Sequence, residues 1–222
     1  MKLNFALVTA CAGLFLAGCS SQPERKDAAQ KETPTPAPAP PEVKKEAEPA
    51  KPEAGVTKVR FSTTKGDIMI AVHKDWAPLG AAHFLEAVKA KYYDNAGFFR
   101  IVPNFVTQFG LAADPALTKK WDKPFKDDPV IRTNRRGSLS FATAGPNTRT
   151  TQIFINLRSN QALDSQGFAP FAEVVEGMSV VEGLFAGYGE LPDQELLTRR
   201  GNAYLKEKFP KLDYIKTARV VE

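Results

Sequence analysis

A chain of 222 residues with 43% hydrophobic residues is long enough for one or two domains. Its formal charge of +5 is mild, and without a concentrated basic face it argues against nucleic acid as a partner. The only two cysteines, Cys11 and Cys19, lie near the N-terminus, so the rest of the chain has no thiol for a disulfide, a metal site or a nucleophile.

Met1-Lys2 gives a positive start, Phe5 to Leu16 is apolar, and small residues lead to Cys19. The apolar run is too short to span a bilayer and has the form of a secretory signal. Its ending, Leu16-Ala17-Gly18-Cys19, resembles a bacterial lipobox, in which the cysteine carries lipid and becomes the first mature residue. Simple cleavage after Ala17 or Gly18 is the alternative. Residues 1–18 therefore read as a lipoprotein signal peptide, and their loss removes Lys2, so the charge falls from +5 to +4.

Residues 19–55 read as a tether. Eight prolines lie between Pro23 and Pro52, and no aromatic residue occurs between Phe15 and Phe61. Seven basic and seven acidic residues between Ser20 and Lys58 cancel. Such a composition cannot bury enough apolar surface to offset chain entropy, so a disordered or polyproline-like spacer is expected. As a coil of ~36 residues it would reach roughly 30–35 Å. A docking motif for a proline-recognising partner is the other reading of these prolines. Lipid on Cys19 would hold the following domain at a bacterial membrane, facing the periplasm. Ser20 after that cysteine favours the outer over the inner membrane.

From residue 56 to residue 222 the texture is that of one globular domain. Val59–Thr64 and Asp67–Val72 read as strands joined at Lys65-Gly66. Pro78 opens a helix whose Ala81, Phe84, Leu85 and Val88 form one buried stripe. Phe98 to Gly110 then reads as strand, tight turn at Pro103-Asn104, strand. Alternation puts Phe105 and Thr107 on one face, Val106 and Gln108 on the other. A Pro-, Lys- and Asp-rich loop runs from Asp114 to Asn134, followed by short strands around Ser138–Ala142, Thr151–Asn156 and Phe171–Val175. Ser179 could cap a short helix carrying Val180, Val181 and Leu184. Pro192-Asp193 could start a last one reaching about Lys208, and Arg219-Val220-Val221 could close the sheet. Many short strands with a few helices suggest a closed antiparallel barrel with helical caps, because closure removes exposed edges.

Few residues in this domain suit bond-making chemistry. His73 and His83 have no metal-ligand spacing and read as structural or solvated. Ser138 is not in a nucleophile elbow, and no glycine-rich loop opens a helix. The polar groups set in apolar strand contexts are Arg100, Gln108 and Gln152. An unpaired guanidinium is costly to bury, so Arg100 either faces solvent from an edge strand or has a task.

The segment Phe98-Phe99-Arg100-Ile101-Val102-Pro103-Asn104-Phe105-Val106-Thr107-Gln108 resembles the cyclophilin signature. Three later segments resemble further cyclophilin motifs in the same order: Ser138 to Thr148 with its Ala144-Gly145-Pro146-Asn147 loop, Thr151-Gln152-Ile153-Phe154-Ile155, and Leu163-Asp164 followed by Phe171-Ala172-Glu173-Val174. The likeness covers about residues 58–185. It implies a mainly β fold, a closed eight-stranded antiparallel barrel capped by helices, with an extra C-terminal helix here. It implies peptidyl-prolyl cis–trans isomerase activity with no cofactor and no metal, on proline-containing polypeptide clients of the cell envelope, by a monomer. Position by position, it implies Arg100 as the catalytic cation oriented by Gln108. Phe105, Val106, Phe154 and Leu163 would form the proline pocket, with Phe168 at its rim. Ala142, Thr143, Ala144 and Gln152 would form the adjoining groove, where the Thr143 backbone pairs with an extended peptide. A non-catalytic proline-peptide-binding chaperone or adaptor on the same fold is the alternative, and a passive tether a third.

The chain departs from that pattern in several places. Ala162 stands where eukaryotic members have tryptophan, which implies weak cyclosporin binding. Phe168 replaces a histidine, Phe109 a glycine and Thr143 an asparagine. The segment Pro192–Tyr214 exceeds the minimal pattern, and packing across one barrel mouth is the plain expectation for it.

Overall fold

A computed structural model describes residues 55–221. The leader, Cys19 and all of the tether except Gly55 lie outside the described residues.

Strand β1 (Val56–Thr63) buries Val59, Phe61 and Thr63 and exposes Arg60, the period-two pattern of a half-covered sheet. It pairs with β2 (Asp67–His73), and Gly66 at φ 137° makes the turn that the Lys65-Gly66 step suggested. Helix α1 (Pro78–Lys89) buries Ala81, Phe84, Leu85 and Val88, the expected stripe. Its start is capped from afar. Ala77 offers no side-chain cap, and the Leu79 and Gly80 N–H groups instead donate to the Asp128 carboxylate at 3.0 and 2.8 Å. Arg149, itself buried, neutralises Asp128 and lies 4.5 Å over the Phe125 ring.

The remaining strands are β3 (Arg100–Val102), β4 (Val106–Phe109), β5 (Ser138–Phe141), β6 (Ile153–Asn156), β7 (Pro170–Glu176) and β8 (Ile215–Val221). All eight form one antiparallel sheet in the order β3-β4-β6-β5-β7-β2-β1-β8. The sheet curls into a half-barrel rather than a fully laddered barrel. The segments just ahead of its end strands meet through a single bridge, Gly97–Tyr214, supported by Phe98 N–H to Asp213 O (3.0 Å) and Ile215 N–H to Ala96 O (2.9 Å). No ladder forms beyond it, and the Ile101 N–H of β3 donates to the Gly189 carbonyl at 3.1 Å.

The core fills the curl. Phe61, Tyr93, Phe98 and Phe109 are wholly or almost wholly buried, and Phe109 meets each of the others with centroids 5.5–5.8 Å apart. Such edge-on aromatic contacts add stabilisation beyond burial alone. Phe109, a departure from the family pattern, is thus a core residue.

Several local expectations need correction. The Asp114–Asn134 segment contains a helix, α2 (Pro115–Trp121), whose cap Asp114 accepts from Ala116 N–H at 2.8 Å. Ser179 lies inside α3 (Met178–Glu182), which Gly177 caps with a left-handed φ. The single C-terminal helix is two, α4 (Gln194–Arg200) and α5 (Asn202–Lys208), broken at Gly201. A Cβ on Gly201 would collide with the Ala113 carbonyl, so a bare backbone is required at that contact. These helices build a second small core, in which Leu197, Tyr204, Leu205 and Leu212 pack on Phe99 and Leu111. They therefore brace the β3–β4 hairpin from its flanking residues.

Arg219 of β8 makes two hydrogen bonds to Asp94, at 2.7 and 2.8 Å, and the Ala218 N–H adds a third at 3.0 Å. Burial raises the Asp94 pKa, but these bonds outweigh it and hold the carboxyl below its ordinary value. A depressed carboxylate stabilises the fold above its unfolded value, and that contribution is lost as pH falls through the folded value. Between about pH 5 and pH 2, Asp94→Asn should therefore flatten the fall of Tm with acidity. Thermal melts of both proteins across that range would check it.

Candidate active site

The β3–β4 hairpin turns at Asn104, which has φ 57°, and closes with Phe105 N–H to Val102 O at 3.0 Å. Its register sets Arg100 opposite Gln108, and Gln108 in turn faces Phe154 on β6. Directly opposed residues share a face of the sheet. Arg100, Gln108 and Phe154 are thus one row, and all three line a cavity of about 580 Å³.

Every cavity residue expected from sequence is on that wall: Arg100, Phe105, Val106, Gln108, Ala142, Thr143, Ala144, Gln152, Phe154, Leu163 and Phe168. One detail differs. Phe105 lies in the turn ahead of β4, outside its alternation, and so lines the same cavity as Val106 and Gln108. Cys19 lies outside the described residues.

The cavity has an apolar end and a polar one. Val106, Phe154 and Leu163 are buried but form a cluster separate from the main core, flanked by Phe105, Ala142 and Phe168. Phe154 and Phe168 meet edge to face at 5.5 Å. Apolar side chains gathered at a cavity rather than in the core leave an apolar notch in its wall.

At the polar end the side chains form a line. Arg100 Nη1 donates to Gln108 Oε1 at 3.0 Å, and Gln108 Nε2 donates to Gln152 Oε1 at 2.8 Å. Gln152 comes close because the chain at Gly110, with φ 110°, runs where a Cβ would strike the Thr151 carbonyl. On its other edge Arg100 Nε donates to Glu190 Oε1 at 2.7 Å. Across the groove, Thr148 Oγ1 accepts from Ala144 N–H (2.9 Å) and donates to Gly145 O (2.7 Å), which shapes the loop behind Thr143.

Sequence reasoning missed the polar network beneath the notch. Asn134, fully buried, donates through Nδ2 to Asp164 Oδ1 and to Phe168 O, each at 2.8 Å. Its Oδ1 accepts from Ser140 Oγ (2.8 Å) and Asn156 Nδ2 (3.1 Å). Asn160 Nδ2 donates to Phe105 O at 3.0 Å and to Asn156 Oδ1 at 2.8 Å. The backbones of Phe105 and Phe168, and the 3₁₀ helix Gln161–Gln166 that carries Leu163, are thus tied to one buried set of amides. An asparagine in a loop carries no sequence signal for such a role. Thr148, Thr150, Gln166 and Gln194 also line the cavity and were not foreseen. Thr148 lies within a quoted motif; Gln194 has no local mark at all.

The histidines are elsewhere. His73 hydrogen-bonds Glu173 at 3.1 Å and stacks on Trp76. His83 packs against Phe125, Trp121 and Phe141, and burial lowers its pKa. No three His, Cys, Asp or Glu side chains converge as a metal site among the described residues.

The family model for cyclophilin type peptidyl-prolyl cis-trans isomerases matches residues 58–196. The chain belongs to the cyclophilin-type peptidyl-prolyl isomerases. It is 36% identical over 134 residues to peptidyl-prolyl cis-trans isomerase B of Escherichia coli, a match covering 56% of this chain and 81% of that protein. To the peptidyl-prolyl cis-trans isomerase of Acinetobacter baylyi it is 34% identical over 132 residues, 57% of this chain and 70% of the relative. A cyclophilin-type isomerase crystal structure from Cryptosporidium parvum shares the fold, with a TM-score of 0.58 at 24% identity, over 75% of this chain and 98% of the other. The same protein crystallised in the presence of the dipeptide Ala-Pro aligns with a TM-score of 0.57. In this cyclophilin the matched span takes in the whole cavity wall, whereas α5 and β8 lie beyond it.

Asn134→Ala should leave Asp164 and the Phe168 carbonyl short of donors and cost at least about 1–3 kcal/mol. Urea denaturation against the parent protein would measure it.

Proposed function

We propose that the domain turns X–Pro bonds in unfolded or flexible segments of exported proteins, with Arg100 stabilising the twisted imide. One observation carries this: Arg100, tied to Gln108, stands on the same cavity wall as an apolar notch of Val106, Phe154 and Leu163. Crystallisation of a similar fold in the presence of Ala-Pro is in keeping with a proline-sized ligand.

The reaction makes and breaks no covalent bond. Rotation must overcome amide resonance, a barrier of ~18–20 kcal/mol. As the bond twists, the prolyl nitrogen becomes pyramidal and gains a lone pair that can accept a hydrogen bond. A guanidinium N–H aimed at that nitrogen gains its bond only in the twisted form, which is differential binding. Val106, Phe154 and Leu163 hold the ring, and their burial keeps that end drier than water. The Gln108 carbonyl holds Arg100 Nη1 on the cavity wall. Gln152 and the Thr143 backbone receive the extended chain in the adjoining groove.

In the envelope the enzyme acts as a monomer on exported clients, held through lipid on Cys19 at the periplasmic face, outer membrane before inner. The lipobox-like Leu16-Ala17-Gly18-Cys19 and the proline-rich spacer support this.

Arg100→Ala should lower turnover of an Ala-Pro peptide roughly ten- to more than a hundredfold, the worth of one charged hydrogen bond. Protease-coupled or NMR-exchange assays would read it, with near-UV circular dichroism to show an intact fold. Undiminished turnover would instead favour a module that only holds proline segments. For the anchor, mass spectrometry of the mature protein should find a lipid-modified Cys19 at the N-terminus, and Cys19→Ala should release the protein from membranes.

A further inference from the structure

The segment between α3 and α4 reaches the edge of the candidate site and is not accounted for by the proline pocket. Gly189 is pinned to β3 by the Ile101 N–H, and its own N–H donates to Ala186 O at 3.0 Å. Leu191 N–H closes a turn onto Tyr188 O at 2.9 Å, and Asp193 N–H donates to the Tyr204 hydroxyl at 3.0 Å. Tyr188 packs on the second core. Anchored on both sides, this short stretch delivers Glu190 to Arg100.

The contact is one-sided in a useful way. Glu190 Oε1 takes Nε at 2.7 Å and Nη2 at 2.5 Å, whereas Gln108 takes Nη1 from the opposite edge. A guanidinium has five N–H groups in a rigid plane. Hydrogen bonds hold Nε to Glu190 and Nη1 to Gln108, and Nη2 is paired with the same carboxylate by charge, so N–H groups on Nη1 and Nη2 remain for a ligand. Gln108 alone would leave the plane free to pivot about Nη1; the carboxylate removes that freedom. We propose that Glu190 is a positioning residue, clamping the guanidinium so that its remaining N–H groups address the prolyl nitrogen. This rests on the assignment of Arg100 given above.

The pair contributes little to the fold, because the Glu190 side chain is 61% exposed and exposed ion pairs are weak. Its effect belongs in the rate. Misplacement of a reacting group by a fraction of an ångström is costly, so Glu190→Ala should lower kcat about three- to tenfold with KM nearly unchanged. Glu190→Gln, which keeps an acceptor oxygen, should recover most of that loss. In an Arg100→Ala background Glu190→Ala should have no further effect, since nothing remains to be positioned.

The experiment is that double-mutant cycle on an Ala-Pro peptide with the full chain, with melting temperatures for every variant. A wild-type kcat in Glu190→Ala would overturn the proposal. So would a raised kcat, which would make Glu190 a counter-ion that substrate must displace. So would additive losses in the double variant. Unchanged turnover in Arg100→Ala would overturn the underlying assignment instead, and would be visible apart from the Glu190 results.

Discussion

The opposition of Arg100 and Gln108 across a hairpin of a few residues is the constraint from which the site follows. An arginine beside so many aromatic residues needs acceptors for its N–H groups, and the amide opposite provides a carbonyl at 3.0 Å. That bond fixes which way Gln108 faces, and its NH₂ group then orders Gln152. A row of polar side chains results along one wall, while Phe154, on the same face, starts the apolar notch. Strand register thus sets the polar row and the start of the apolar notch, which Leu163 completes from its 3₁₀ helix.

Holding that hairpin in place takes two cores. Phe109 at the end of β4 is locked among Phe61, Tyr93 and Phe98 inside the curl. On the flank, Phe99 and Leu111 receive α4 and α5. The edge of β3 is met by Gly189 rather than by β8, and this explains both why the sheet is a half-barrel and how Glu190 comes to stand beside Arg100. One backbone hydrogen bond serves the fold and the site together.

Beneath the notch lies a different solution to the same problem. Ligand pockets need rigid walls but sit where regular structure ends. Here the buried amides of Asn134, Asn156 and Asn160 take the place of ladder hydrogen bonds, gripping the carbonyls of Phe105 and Phe168. Networks of this kind are costly if partly broken and stiff when complete.

Local pattern was enough for the strands, the buried stripe of α1 and the hairpin around Pro103-Asn104, whereas most of the residues that meet at the cavity were legible only through the resemblance of contiguous motifs to the cyclophilins. Each of those depends on neighbours two to four positions away or on motifs contiguous in the chain, where periodicity and residue chemistry speak directly. The break at Gly201, the cap that Asp128 lends to α1, the seam left between β3 and β8, and the carboxylate of Glu190 on Arg100 were decided only by packing. Asp128 lies 49 positions from Leu79 and Glu190 lies 90 from Arg100. At such separations no local periodicity connects two residues, and only the closing of the chain on itself brings the charge to its partner.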